Sequence, residues 1–263
     1  MSSEKIIVLF DEYGTPTLRQ DRESEFFIGV GACYKNSDEL IIFHQIEGLF
    51  GLRNKKPLKN NRISTERAIK ISKELKQLPI FLVVVTIDLS NIDLIETVTE
   101  YQHISNQIRG RERSIKERPI AQIIHSKILS NCLFESITLC LENSQVLKTF
   151  EIFIDAWSIP AKDIPLYLNF RTESLSKHIS NLFPNVAVQH IQLLEDDTKR
   201  KRFIDSVTSV VSRKFYPHSN AKFISIPFDI LFANSSGRSI SVDITEKEIA
   251  IMKKMLNEIK QNG

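Results

Sequence analysis

Glycine is scarce in this chain, with eight residues in 263. None of them builds a G-x-G-x-x-G turn, a P-loop or a G-x-S-x-G elbow, so dinucleotide chemistry, NTP hydrolysis and serine hydrolysis find no support. Cysteine is scarcer still: Cys33, Cys132 and Cys140 are an odd number and form no C-x-x-C pair. Cys33 falls in an expected strand, and the other two lie eight apart in an expected helix. They read as reduced, buried thiols of a cytoplasmic protein, not as a disulfide framework or a structural zinc site. No apolar run is long enough to span a bilayer; "IFLVVVTIDL" has about half the length required and reads as a buried strand. The opening "MSSEKIIVLF" has no basic segment followed by an apolar stretch and a small-residue cleavage site, so no secretory leader is expected. Internal repeats, low-complexity tracts and Gly/Ser linkers are also missing.

What remains has the ordinary make-up of a soluble globular protein, 42% hydrophobic and 25% charged. The net charge of +3 is modest, but the basic residues cluster. Segment 53–62 holds five Lys/Arg and no acid, segment 109–118 five against two acids, and 199–202 is "KRKR". Such clusters suit a nucleic-acid backbone, and equally suit solvated loops and helix faces. The apolar pattern predicts strands at 5–11, 25–34, 80–88, 150–157 and 186–194. It predicts helices at 36–50, 64–77, 119–142, 172–182 and from Asp197 onward. A further strand at 222–232 and a closing helix, capped by the box "TEKE" at 245–248, complete the order. The first three strands can pair antiparallel, and the long helix then serves as a crossover that lays the fourth strand parallel to the first. The expected organisation is one domain over 1–215, with a helical insertion around 36–78, and a C-terminal extension over 216–263 packed on the same domain.

Two of these strands carry acid where apolar residues prevail. "VLFDEYG" ends the first strand in Asp11 and Glu12, and "FEIFIDAW" places Glu151 and Asp155 in the fourth. If the two strands are neighbours, Asp11 and Asp155 come side by side. Paired carboxylates in a partly buried site repel one another and resist joint ionisation. A Mg²⁺ or Mn²⁺ ion, which takes hard oxygen ligands, resolves that conflict. The plain alternative is that each Asp begins a turn or caps the next element. Trp157 reads as core packing or as a stacking surface, and His125 as a partly buried helix residue. His44, His103, His178, His190 and His218 show no metal-ligand spacing.

"LFDEYGTP" followed by "FFIGVGACY" resembles the opening of an uncharacterised D-E-S-G-type group with a ribonuclease H-like fold, domain of unknown function 3800. The motif-specific part is the first thirty residues, and the element order β-β-β-α-β-α-β-α extends the likeness over 5–215. The resemblance implies an RNase H-like mixed sheet and a metal-dependent nuclease whose carboxylates come from the first strand, the long helix, the fourth strand and the last helix. Asp11 matches the first of these, Asp155 the third, and Glu12 the Glu of the signature. On the long helix Glu135 competes with Glu117 just before it. In the late motif Thr208 stands where the family has Asp, Asp205 lies one turn earlier, and Asp229 offers a second match. Tyr13 replaces the Ser of D-E-S-G. Two readings follow: a nuclease of mobile-element or antiviral defence, or a catalytically inactive binding or assembly subunit with a protein partner or in a homo-oligomer.

Overall fold

A computed structural model describes residues 4–14, 26–48, 65–89, 96–97, 100, 118–141, 147–155, 164–184, 186–195, 198–212 and 237–262. Its described strands are β1 (Glu4–Tyr13), β2 (Phe26–Lys35), β3 (Ile80–Asp88), β4 (Lys148–Ile154), β5 (Val186–Leu193) and β6 (Gly237–Ser241). They form one sheet in the order β5-β4-β1-β2-β3-β6. β1, β2 and β3 pair antiparallel, and β4, β5 and β6 join parallel to β1, β4 and β3 respectively. This is the mixed α/β sheet expected for an RNase H-like arrangement, with one parallel strand added at the β3 edge.

The helices are α1 (Glu39–Ile46), α2 (Thr65–Leu75), α3 (Arg118–Leu141), α4 (Ile164–Leu182), α5 (Lys199–Ser212) and α6 (Glu246–Asn262). They explain why β1 is apolar along its length instead of alternating. Ile6, Val8 and Phe10 pack into a core with Ile124, Ile128 and Cys132 of α3 and Met252 of α6. Ile7 and Leu9 face the opposite way, into a second core with Phe203, Ile204 and Val207 of α5. A strand covered on both faces needs apolar residues at both parities.

Close approach of α3 to the sheet depends on two glycines of β2. A Cβ at Gly31 would lie 2.5 Å from Ser136 Oγ and 2.9 Å from Cys132 Sγ, and one at Gly29 would lie 2.9 Å from Ile128 Cγ1. The three cysteines are free and buried, as expected.

Several boundaries differ from the sequence expectation. α1 is shorter, and α4 begins eight residues earlier than the pattern at 172–182 implied. The C-terminal extension is part of the same sheet: β6 aligns Leu82 with Gly237, and Ile249, Met252 and Leu256 of α6 enter the core shared with α3. Its capping box forms as predicted, with Thr245 N donating to Glu248 Oε2 at 2.8 Å and Glu248 N donating to Thr245 Oγ1 at 3.3 Å. The strand expected at 222–232 lies outside the described residues. Among the described residues, no helix is long and apolar enough to cross a membrane.

Candidate metal centre

β1 does not stop at its acids. It runs on through Tyr13, with Asp11 opposite Val30 and Glu12 opposite Gly29 of β2. Neighbouring residues of a strand point to opposite faces. Asp11 therefore takes the face of Ile7 and Leu9, beneath α5, while Glu12 takes the face of Phe10, beneath α3.

β4 brings the second aspartate. Its parallel register with β1 ends at Phe10 opposite Ile154, and Asp155 N then donates to Phe10 O at 3.2 Å. Asp155 thus sits alongside Asp11 at the carboxyl ends of two adjacent parallel strands. The third comes from α5: Asp205 lies outside the helix's apolar arc and reaches the same space. One carboxylate oxygen from each of Asp11, Asp155 and Asp205 lies within 4.8 Å of the other two. Adjacent ligands of an octahedral ion with ~2.1 Å bonds are ~3.0 Å apart and opposite ones ~4.2 Å, so these three carboxylates could hold one cation after rotation about their side-chain torsions.

A lysine enters this cluster from the same helix. Lys201 Nζ donates to Asp155 Oδ2 and lies 3.7 Å from Asp205 Oδ1, its i+4 neighbour. Burial works against the ammonium, but Asp155, Asp205 and Asp11 outweigh it and hold its pKa above the ordinary value. Thr208 shares the stripe at i+7, buried, its Oγ1 without a hydrogen-bond partner among the described residues.

Burial is also what most perturbs the acids. Asp11, only 8% exposed, has its carboxyl pushed well above the usual range, first by desolvation and then by Glu12, Asp205 and Asp155. Glu12 rises to about 8, again by desolvation first and then by Asp155, with Lys201 opposing. On the α3 face, Glu12 Oε2 lies 3.7 Å from His125 Nε2. Desolvation, assisted by Arg171, lowers His125 to about 4. At neutral pH this pair is a protonated carboxyl facing a neutral imidazole.

The other sequence candidates fall elsewhere. Glu135 accepts from Arg238 Nη1 of β6 at 2.6 Å and takes no part in the aspartate cluster. The reason is helical rise: ten residues beyond His125, it lies ~15 Å further along α3. Glu117, Asp229, Trp157 and the side chains of 53–62 and 109–118 are outside the described residues. The run 199–202 is not an open cationic face. Arg200 donates to Glu39 Oε2 at 2.8 Å and lies over Phe153, Lys201 is held by the aspartates, and Arg202 is buried. Nothing in "KRKR" singles out Lys201; its i,i+4 spacing to Asp205 is the sequence signal that marks it. A scan against protein-family models finds no match, and neither does a search of curated proteins.

Proposed function

We propose that the protein is a metal-dependent nuclease-type hydrolase of phosphodiester bonds, with Asp11, Asp155 and Asp205 holding Mg²⁺ or Mn²⁺. One observation carries this reading: three carboxylates from two adjacent parallel strands and a buried helix converge in a partly desolvated site. An oxygen-only donor set suits a hard divalent ion. When bound, such an ion supplies Lewis-acid stabilisation of phosphoryl oxygens and a water of lowered pKa. The chain's own contribution is positional. The β1–β4 ladder fixes Asp11 and Asp155 relative to one another, and the α5 packing that buries Phe203 and Val207 sets the reach of Asp205. Glu12, one residue on, lies on the other face and belongs with His125, not with the ligand set.

The likeness of the first thirty residues to an uncharacterised D-E-S-G-type group with an RNase H-like fold supports the same reading. The basic segments 53–62 and 109–118 supply charge for a nucleic-acid backbone. A cytoplasmic role in bacterial defence follows from the resemblance alone.

A second reading, a non-catalytic binding or assembly subunit, is favoured by Lys201 inside the cluster and by the neutral Thr208 on its stripe. The test is direct. Purified protein with Mn²⁺ is expected to cut single- or double-stranded DNA or RNA, and Asp11→Asn or Asp155→Asn to abolish cutting. Cleavage that survives both substitutions overturns the nuclease reading. Mn²⁺-induced thermal stabilisation with no cleavage of any nucleic acid favours the binding subunit.

A further inference from the structure

Lys201 and a metal ion want the same oxygens. The ammonium is bonded to Asp155 and lies 3.7 Å from Asp205, two of the three carboxylates that a divalent ion would take as ligands. Its side chain is 12% exposed, so this is not a surface lysine brushing an acid but a cation drawn into a partly buried anionic site. The buried Thr208 hydroxyl, without a hydrogen-bond partner among the described residues, lies on the same helical stripe and brings no charge to it.

An ion cannot bind Asp155 and Asp205 while the ammonium stays among them, for two reasons. Both cations draw on the Asp155 and Asp205 carboxylates, and two positive charges a few ångström apart repel strongly in a partly desolvated site. A lysine has a flexible four-carbon stem and three rotatable donors, so it leaves by swinging, without movement of α5. Displaced into open water it loses strong charge-assisted bonds. Displaced toward a phosphodiester it exchanges a carboxylate for a phosphate oxygen, with no net loss of ionic partners.

We propose that Lys201 is a tethered counter-ion that blocks metal loading until a phosphodiester arrives to receive it, so that metal and nucleic acid bind cooperatively. The inference rests on the metal-centre reading and deepens it. It gives the site a built-in order, in which metal enters with the substrate and not before it. Coupling of this kind is reciprocal: whatever factor the nucleic acid adds to metal affinity, the metal adds to nucleic-acid affinity. Lys201 is here a positioning and gating residue, and its signature lies in binding and not in turnover.

The experiment is a Mn²⁺ titration of the full chain followed by electron paramagnetic resonance. It is run alone and with a saturating short phosphorothioate oligonucleotide, for wild type, Lys201→Met, Lys201→Gln and Asp155→Asn. Circular dichroism confirms the fold of each variant, and the Gln variant stands in if the Met variant is unfolded. Without oligonucleotide, removing the ammonium is expected to tighten Mn²⁺ binding by roughly ten-fold or more. The oligonucleotide is expected to tighten wild-type binding by roughly ten-fold and to leave the Lys201 variants within about two-fold of their metal-only values. Equal tightening of wild type and Lys201 variants by the oligonucleotide, or no gain from removing Lys201, overturns the inference and leaves the metal centre standing. Mn²⁺ binding that is the same in wild type and Asp155→Asn removes the metal centre, and this inference with it.

Discussion

At the scale of single residues, the buried acids decide how the metal-free protein responds to pH. Glu12 loses its proton near its ordinary pKa of 4.5 in the unfolded chain but only near about 8 in the folded one. Its folded form binds the proton more tightly, so its contribution to stability is complete below about 4.5 and is lost as pH climbs toward 8. Asp11, displaced in the same direction, adds to this trend. His125 acts oppositely: its contribution is present above 6.5 and is lost as pH falls through about 4. Thermal melts in chelator are therefore expected to peak at mildly acid pH and to decline toward pH 9, and Glu12→Gln to flatten the alkaline limb. A melting temperature that rises steadily from pH 5 to pH 9 contradicts the assignment. Asp11→Asn is expected to raise the metal-free melting temperature at pH 9, where it removes a buried repelling charge, and to do little at pH 5. The same variant is expected to lose the stabilisation that Mn²⁺ confers on wild type, an effect read by differential scanning fluorimetry. Of these residues, Asp11 and Asp155 were legible in the sequence because acid interrupted two apolar strands. Glu12 was legible as an acid but not as one facing away from its neighbour, because the pattern ended β1 at 11 and hid the parity of 12.

At the scale of elements, two contacts hold the site's scaffold. α3 lies against β2 through glycines, so Gly31→Ala forces a Cβ against Ser136 and Cys132 and is expected to cost ~1–3 kcal/mol in urea unfolding. A loss below ~0.5 kcal/mol shows that α3 moves off the sheet freely. α5 is anchored by Phe203, fully buried and edge-on to Tyr34 and Phe43 at centroid distances of 6.5 and 5.9 Å. Phe203→Ala is expected to cost ~3–5 kcal/mol. Asp205 and Lys201 ride on that helix, so the same variant is expected to weaken Mn²⁺ affinity beyond what its stability loss explains. Helical periodicity revealed the buried arc of α5, since Phe203, Ile204, Val207, Val210 and Val211 recur at the right spacing. It did not reveal whether Asp205, the one carboxylate of α5, reaches the strands or solvent, because that depends on the crossing position of α5 over β1.

At the scale of the molecule, strand order was readable because the long helix forces a crossover, and a crossover of that length makes β4 parallel to β1. The C-terminal region was expected to pack on the same domain, but the route was not legible: β6 extends the sheet beyond β3 and α6 seals the α3 core. The physical signal is weak because a five-residue strand, half exposed, carries no strong alternation. Deleting residues 237–263 is expected to leave β3 as an uncovered edge and to bare apolar surface on α3, which should give an aggregating or dye-binding product. A cooperative, monomeric truncation contradicts that role for β6 and α6.

β1 also carries an ambiguity that its own grease cannot resolve. A ribbon coated with oil on both sides has no preferred way up, since sliding it by one residue trades Ile7 and Leu9 for Val8 and Phe10 at almost equal hydrophobic worth. Only the adjacent acids distinguish the two phases, one sending Asp11 and the other Glu12 toward α5. A single alanine inserted ahead of Asp11 would therefore turn Asp11 toward α3 and carry Glu12 one place further along toward α5, and is expected to abolish the Mn²⁺-induced stabilisation in scanning fluorimetry.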